Sequence, residues 1–396
     1  MKHKKLFVTC MVIFSVLVAL GTFILIWFWG DSYPDFKEFS DTEVSIPGLK
    51  DDSVPQGLAT YNAEYGVTDA DGNSQIFRQD YFFVSSYMKK GASRIYVTGA
   101  KTGYVGYVTL KNVDGSDYTG HCGGVATNGD TLWVASGGKV LVAQCSDSAY
   151  RNIAYELIEK AKLANGENVL KFTSEFAANG SASFCFYYDA PDSTSDKLYV
   201  GEFYRKGDYE TDSNHHIVTK NGEKQYAFVY EYSVTTDTSN RYGLSKLTDS
   251  KVAEADRVPK IDRIFSITDE IQGFARTDKG LVLSQSYGLK NSSILYYDWS
   301  SVYNNDNRST YTSLTGYNFV YDGVKTVNDV QYTDTAVYVY HVDGNSLLRT
   351  YSVPSMSEGL CAIGNRVYVL FESGSYKYRA FVRMAVEHIY SFIPRS

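Results

Sequence analysis

The chain has no GxSxG elbow, no GxxxxGK[ST] phosphate loop and no HExxH pair. Those absences remove the nucleophile-elbow hydrolases, the P-loop NTPases and the zincin metalloproteases. Cysteine is scarce as well: five residues, with no CxxC and no metal-ligand spacing. Zinc ribbons and dithiol redox motifs therefore drop out. Positive charge is in the minority, 38 Lys and Arg against 45 Asp and Glu, for a net charge of −7. An acidic body of this kind is not a nucleic-acid or anionic-lipid surface. Proline is rare, 7 residues against 32 glycines, and only 4 tryptophans accompany 35 tyrosines.

Charge is missing altogether from one long run. Leu6 to Trp29 reads LFVTCMVIFSVLVALGTFILIWFW. As a helix it would extend roughly 36 Å, enough to cross the hydrocarbon core of a bilayer. Lys2, Lys4 and Lys5 precede it, and Asp31, Asp35 and Asp41 follow. The positive flank belongs in the cytoplasm. Trp27 and Trp29 sit where an interfacial aromatic belt would lie. A cleaved signal peptide has a shorter apolar region and a small-x-small site; here the run is longer and Ala19-Leu20-Gly21 matches poorly. The pattern predicts an uncleaved, single-pass signal anchor in a bacterial cell membrane. Residues 1–5 form the cytoplasmic tail, 6–29 the transmembrane helix and 30–40 a linker. Residues 41–396 form one extracytoplasmic domain.

That domain repeats itself. Five segments share an opening: "PQGLATYN" at 55–62, "CGGVATNGDTLWVASGG" at 122–138, "ASFCFYYDA" at 182–190, "IQGFARTDKGLVLSQSYG" at 271–288 and "SEGLCAIGNRVYVLFESGSY" at 357–376. Each places a polar residue, a Gly (Ser183 in the third), an apolar residue and a small one before a short turn. An alternating apolar strand follows. The turns "TNGDT", "TDKG" and "IGN" have tight-hairpin chemistry. Third strands follow at 93–100 and 292–299. Fourth strands at 107–113, 262–270 and 347–355 lead into the next unit. Four antiparallel strands per unit, repeated around a ring, describe an all-β β-propeller. Five blades are expected, or six if 326–344 is a blade and not an insertion. "DTEVSIPGL" at 41–49 is expected to complete the last blade, so that the two chain ends close the ring.

The recurrent Gly marks strands that crowd the axis. Two positions later stand Ala59, Ala126, Cys185, Ala275 and Cys361. Cys185 and Cys361 thus read as small buried residues. Cys122 and Cys145 complete a set of four that would also suffice for two disulfides outside a membrane.

On its "QGLA", "GGVA", "QGFA" and "EGLC" strand starts, and the "LWVASGG", "LVLSQSYG" and "VYVLFESGS" strands after them, the chain resembles the extracytoplasmic β-propellers of the NHL, gluconolactonase-like and quinoprotein-like groups. Trp133 and Trp299 are too few for a quinoprotein propeller. "GHCGG" and "DWS" are out of register for WD40 blades. The resemblance implies a fold, not an activity.

Residues just before each repeated Gly should converge on one mouth of the axial channel. They are Gln56, His121, Gln272 and Glu358, with Asp329 joining if 326–344 is a blade. Such a ring either satisfies the inner backbone or binds a ligand. Glu358, Gln56 and Gln272 are also candidate oxygen ligands for calcium, which the gluconolactonase-like resemblance implies at the axis. A glycosidase needs a carboxylate pair. Only Glu358 stands in register, because Glu202 and Glu372 lie at the far ends of second strands. His215 and His216 fall in a polar insertion, where a double His could bind metal but is more often solvated or a local hydrogen-bond donor. "SYKYRAFVR" at 375–383 reads as a last-blade strand. The helical pattern at 148–164 is expected to pack on one face of the ring. The function indicated is a binding or scaffold module for an envelope glycan, peptide or protein partner. The rival is an axial-channel hydrolase or lyase, with calcium as its possible cofactor.

Overall fold

A computed structural model of the chain describes residues 11–22 and 33–396, except 69–73, 146, 165, 179, 192–195, 238, 247–257, 311–318, 321–323, 328–329 and 334–337. Five antiparallel four-stranded units make up the body. The first blade is Ser53–Thr68, Ser74–Met88, Arg94–Gly99 and Gly103–Lys111. The second is Gly124–Thr127, Thr131–Ser136, Lys139–Gln144 and Ser174–Ala177. The third is Phe184–Tyr188, Lys197–Gly201, Ala227–Ser233 and Ile261–Ile267. The fourth is Ile271–Arg276, Gly280–Gln285, Ser292–Asp298 and Leu347–Val353. The fifth is Ser357–Ile363, Arg366–Phe371 and His388–Phe392, closed by Asp41–Ser45 from the other end of the domain. Asp41 lies opposite Ser391 and Ser45 opposite His388. The ring is therefore sealed by hydrogen bonds between the two ends, as the 41–49 segment predicts. Among the described residues the segment 326–344 does not make a sixth blade. Its strand Tyr338–His341 adds in parallel to the outer edge of the third.

The repeated glycines explain the ring. A Cβ on Gly57 would fall 2.6 Å from the Val125 backbone N, and one on Gly124 would fall 2.2 Å from that of Cys185. On Gly273 it would meet Glu358 O at 2.5 Å, and on Gly359 Leu58 N at 2.6 Å. Neighbouring inner strands therefore touch backbone to backbone. Behind this ring the blades stack face to face through apolar side chains, with Trp133, Tyr96, Tyr199, Tyr230 and Tyr232 fully enclosed. The tyrosine surplus is largely interior strand material. Buried ring hydroxyls find partners: Tyr199 donates to Glu231 at 2.9 Å, and the Trp133 indole N–H reaches Tyr242 O at 2.8 Å.

The helix is Ile153–Ala161, capped by the Asn152 side chain on Tyr155 N. Ala154 N bonds to Gly129 O, in the turn that ends the second blade's inner strand. Tyr155 OH reaches the first blade's long hairpin at Glu64 O, 2.8 Å. The helix thus packs on the face where inner strands end.

All four described cysteines are free thiols, and three are buried. Only Cys145 keeps a partly open side chain. We expect a thiol reagent to label one cysteine of the native domain rapidly and the other three only on unfolding, as read by mass spectrometry. Fast labelling of Cys122, Cys185 or Cys361 would contradict the packing.

Residues 11–22 are α-helical, and their apolar side chains, Phe14 and Leu17 among them, are exposed. Among the described residues no helix is long and apolar enough to cross a membrane. The remainder of the Leu6–Trp29 run lies outside them.

Candidate axial site

Every inner strand begins at the same mouth of the channel, because each follows an outer strand that has climbed to that face. The mouth opens into a cavity of about 630 Å³. Gln56, His121, Gln272 and Glu358 all line it. The sequence register had grouped these four, and the fold brings them together. Asp329 lies outside the described residues. Asp269 and Glu270, one turn upstream, are spent elsewhere. Glu270 pairs with Arg205 at 2.8 Å, and Asp269 Oδ1 accepts from Thr268 Oγ1 at 3.0 Å and from the Gln285 amide at 3.4 Å.

The structure adds a residue that the register argument had set aside. Glu372 lines the same cavity as Glu358. The second strand of a hairpin ends where the first begins, and Ser357 pairs with Phe371. A bulge between Ser357 and Leu360 sets the local register. The "far end" of a second strand is therefore the near end of the first, and the two carboxyls share one mouth. Glu358 is 3% exposed. Burial, with the Glu372 charge adding to it, holds its carboxyl well above the usual carboxylate range. Burial also pushes Glu372 up, to about 7, against a lowering by the Gln56 hydrogen bond and the Lys377 ammonium. Two buried carboxyls cannot both ionise side by side, so the pair retains a proton near neutrality.

Around the pair stand aromatic rings. Tyr87 stacks on His121 with ring centres 4.2 Å apart. Lys377 donates to Tyr87 OH at 2.9 Å. Burial raises Tyr87 to about 12, and burial with Lys377 nearby lowers His121. Both groups are thus neutral at physiological pH. Tyr287 and Phe203 stack at 6.3 Å, and the Arg205 guanidinium lies 3.5 Å over the Tyr287 ring. Lys377 and Tyr378 come from 375–383, which is a turn-rich loop joining the second and third strands of the fifth blade and not a strand. No strand periodicity is present there; the alternation of Tyr and basic residues mimics one.

Of the two histidines in the third blade's insertion, His215 is buried and His216 half-buried, and both are hydrogen-bonded. His215 is fully buried, with Nδ1 2.8 Å from Glu202 Oε2. Glu202 also accepts from Phe228 N at 2.9 Å. His216 contacts Thr211 Oγ1 at 3.1 Å and lies edge-on to Tyr204 and Tyr226. Glu202 pulls the loop inward, so these residues are a buried anchor that holds the loop carrying Tyr209 and Glu210 at the mouth.

The opposite mouth holds a cavity of about 690 Å³. There Asn62 donates to Asp80 at 2.7 Å, Tyr188 OH donates to Asp278 at 3.1 Å, and Arg276 lies over the Tyr188 and Trp299 rings at 4.0 Å each, while burial and the Asp196 charge hold the Asp189 carboxyl above its usual range. What distinguishes the Glu358 mouth is that two carboxyls raised by burial, Glu358 and Glu372, line one cavity with all four register residues.

The axial residues do not fit calcium. Gln56 turns its amide nitrogen, not its oxygen, to Glu372 Oε2 at 3.0 Å. The two carboxyls favour protons over charge, and a lysine shares the cavity. Among the described residues no group of three or more His, Cys, Asp or Glu side chains gathers as metal ligands.

No family model and no curated protein matches the sequence. Among solved structures the chain is similar to a GH43_1 enzyme from Xanthomonas citri, with 11% identity over 88% of this chain and 90% of that one and a TM-score of 0.37. The same enzyme complexed with xylose gives a TM-score of 0.35 at 11% identity, over 88% and 89% of the two chains. A putative 6-phosphogluconolactonase from Bacteroides uniformis gives 0.25 at 12% identity, over 74% and 88%.

Proposed function

We propose that the chain is a membrane-anchored, extracytoplasmic propeller that binds a sugar segment of an envelope glycan in the cavity at the Glu358 mouth. The observation that carries the reading is the acid pair that retains a proton near neutrality, set among aromatic faces. A protonated carboxyl both donates and accepts, which suits the paired hydroxyls of a sugar ring. Tyrosine and histidine rings offer flat apolar surfaces to the C–H faces of the same ring. The anchor is the uncharged run 6–29 with its lysine flank, and it tethers the propeller at the membrane surface.

A hydrolase is the second reading, and the same pair favours it. A carboxyl kept protonated near neutrality is what a general acid requires, and Glu372, which titrates near 7, is poised as its partner.

The test uses the full chain in detergent and a panel of bacterial envelope glycan fragments, scored by calorimetry and by release of reducing ends. We expect binding without turnover in the wild type. Tyr87→Ala should weaken it about tenfold or more, in keeping with the loss of an aromatic anchor. Release of reducing ends that vanishes in Glu358→Gln would replace the binding reading with the hydrolase. Binding only to peptides, or binding untouched by Tyr87→Ala, would remove the glycan from this cavity.

A further inference from the structure

We infer that the face of the propeller bearing the Glu358 mouth docks on the bilayer in which the chain is anchored, with loops 286–291 and 375–383 seated in a headgroup layer that contains anionic phospholipid. The inference rests on the membrane anchor of the proposed function and not on the ligand of the axial cavity.

The chain enters the domain at that face. Second strands run back to the mouth where inner strands begin, so the loops between second and third strands lie there. Residues 286–291 form that loop in the fourth blade, and 372–387 form it in the fifth. Tyr33 is held by both. Its hydroxyl donates to Asn291 Oδ1 at 2.8 Å, and the Arg383 guanidinium lies 6.0 Å over its ring. From Tyr33 the helix Pro34–Phe39 follows the seam of the fourth and fifth blades. Phe36 packs on Phe371 and Tyr390, and Phe39 on Tyr351 and Phe392. The chain then reaches Asp41, opposite Ser391 near the far end of the third strand, and returns as the closing strand to Ser45 opposite His388.

Covalent geometry limits the distance to the membrane. The uncharged run ends at Trp29, four residues before Tyr33. Four residues at full extension span about 14 Å at most. The headgroup layer is itself about 5–8 Å deep. A run that crosses the hydrocarbon as far as Trp29 therefore keeps Tyr33, and the two loops that hold it, at the membrane surface.

What stands beside Tyr33 suits that surface. Leu289 and Lys290 directly precede Asn291, and Phe381 is two residues from Arg383. Leu289 is 51% exposed, Phe381 65%, and Tyr376 in the same loop 70%. Lys290 and Lys377 are exposed as well. An apolar side chain beside a lysine can enter the layer apolar part first and keep the ammonium among the phosphates. The chain as a whole carries −7, so the attraction is local. Loops 286–291 and 375–387 hold Lys290, Lys377, Arg379 and Arg383 against Glu387 alone. On the first-blade side Lys89 and Lys90 offset Asp51 and Asp52, so this side of the face stays net positive.

The experiment places the full chain in nanodiscs of phosphatidylglycerol and phosphatidylcholine and acetylates its lysines with a small water-soluble ester. Mass spectrometry gives the rate at each site. A tether alone leaves exposed lysines open to so small a reagent, whereas docking covers those on the seated loops. Lys290 and Lys377 should react about fivefold more slowly than in detergent, or slower still. Lys101 and Lys279, exposed on the opposite face, should keep their rates. With Leu289→Glu and Phe381→Glu combined, the Lys290 and Lys377 rates should return to their detergent values. The thermal midpoint should not move, since both side chains are exposed. Discs of phosphatidylcholine alone should lose most of the protection. Unchanged rates at Lys290 and Lys377, in a chain that resists extraction from vesicles by alkaline carbonate, would overturn the docking and leave the anchor standing. A chain released by carbonate would remove the anchor and the docking with it. Protection of Lys101 and Lys279 instead would turn the opposite face to the membrane and overturn the inference.

Discussion

Glu358→Gln will raise the thermal midpoint at pH 8 and leave it nearly unchanged at pH 4. The native acid pair holds its protons more tightly than the unfolded chain does. Below about pH 4.5 both states are protonated and the pair contributes no difference. As pH rises, the unfolded carboxyls ionise freely while the folded ones are held back by burial and, for Glu358, by the Glu372 charge as well. The unfolded state then binds fewer protons, and stability falls with pH. For Glu372 this loss runs from the ordinary carboxylate range to about 7. At 1.36 kcal/mol per pH unit, that window corresponds to about 3 kcal/mol. Because Glu372 keeps part of its surface on the cavity, this is an upper figure. Glu358 extends the loss to higher pH. A glutamine at 358 cannot ionise, and it leaves Glu372 with a neutral neighbour. The midpoint of the variant should therefore stay flatter between pH 5 and 8 and cross above the wild type by several degrees. Differential scanning fluorimetry of wild type, Glu358→Gln and Glu372→Gln across that range decides the matter. Parallel curves would mean that neither carboxyl is held protonated, and the axial chemistry would have to be redrawn. A stabilised variant that has lost glycan binding would show a strained site kept for use, since active positions commonly cost stability.

The ring could be seen in the sequence because its decisive contact leaves a direct mark. Where two inner backbones touch, only Gly, or Ser183 in the third blade, stands, and that restriction recurs five times. Convergence of Gln56, His121, Gln272 and Glu358 followed from the same register, since strands that begin alike begin at the same mouth. Glu372 escaped because separation along a hairpin is not separation in space, and its nearness to Glu358 depends on a bulge that periodicity does not record. Tyr87 and Tyr378 escaped for a related reason: they arrive at the mouth from a strand end and a connecting loop, which carry no repeat. His215 gave no sign of burial because its neighbours Asp212, Ser213 and Asn214 are polar. What buries it is Glu202, placed by a different strand. Pairing of polar groups across the fold is invisible to any local window.

The ring also makes the harshest test of the fold. Gly124→Ala should cost about 3 kcal/mol or more, or prevent a cooperative fold altogether. The added Cβ would lie 2.2 Å from Cys185 N and 2.7 Å from Phe184 C. Both are backbone atoms of the next blade's inner strand, so no rotamer change can make way. Relief requires the second and third blades to part, and a closed five-membered ring transmits that parting to every other interface. Ordinary overpacking costs about 1–3 kcal/mol, because flexible side chains share the strain; here none are available. Gly138→Ala is the control. Gly138 is also in the second blade, yet nothing lies within 4 Å of its added Cβ. Its change should stay within about 0.5 kcal/mol, as surface substitutions do. Chemical denaturation of the two variants beside the wild type separates a loss of backbone contact from a general intolerance of the second blade. If Gly124→Ala unfolds with a midpoint close to that of Gly138→Ala, the inner strands do not meet through their backbones. The repeated glycine would then need an explanation other than closeness at the axis.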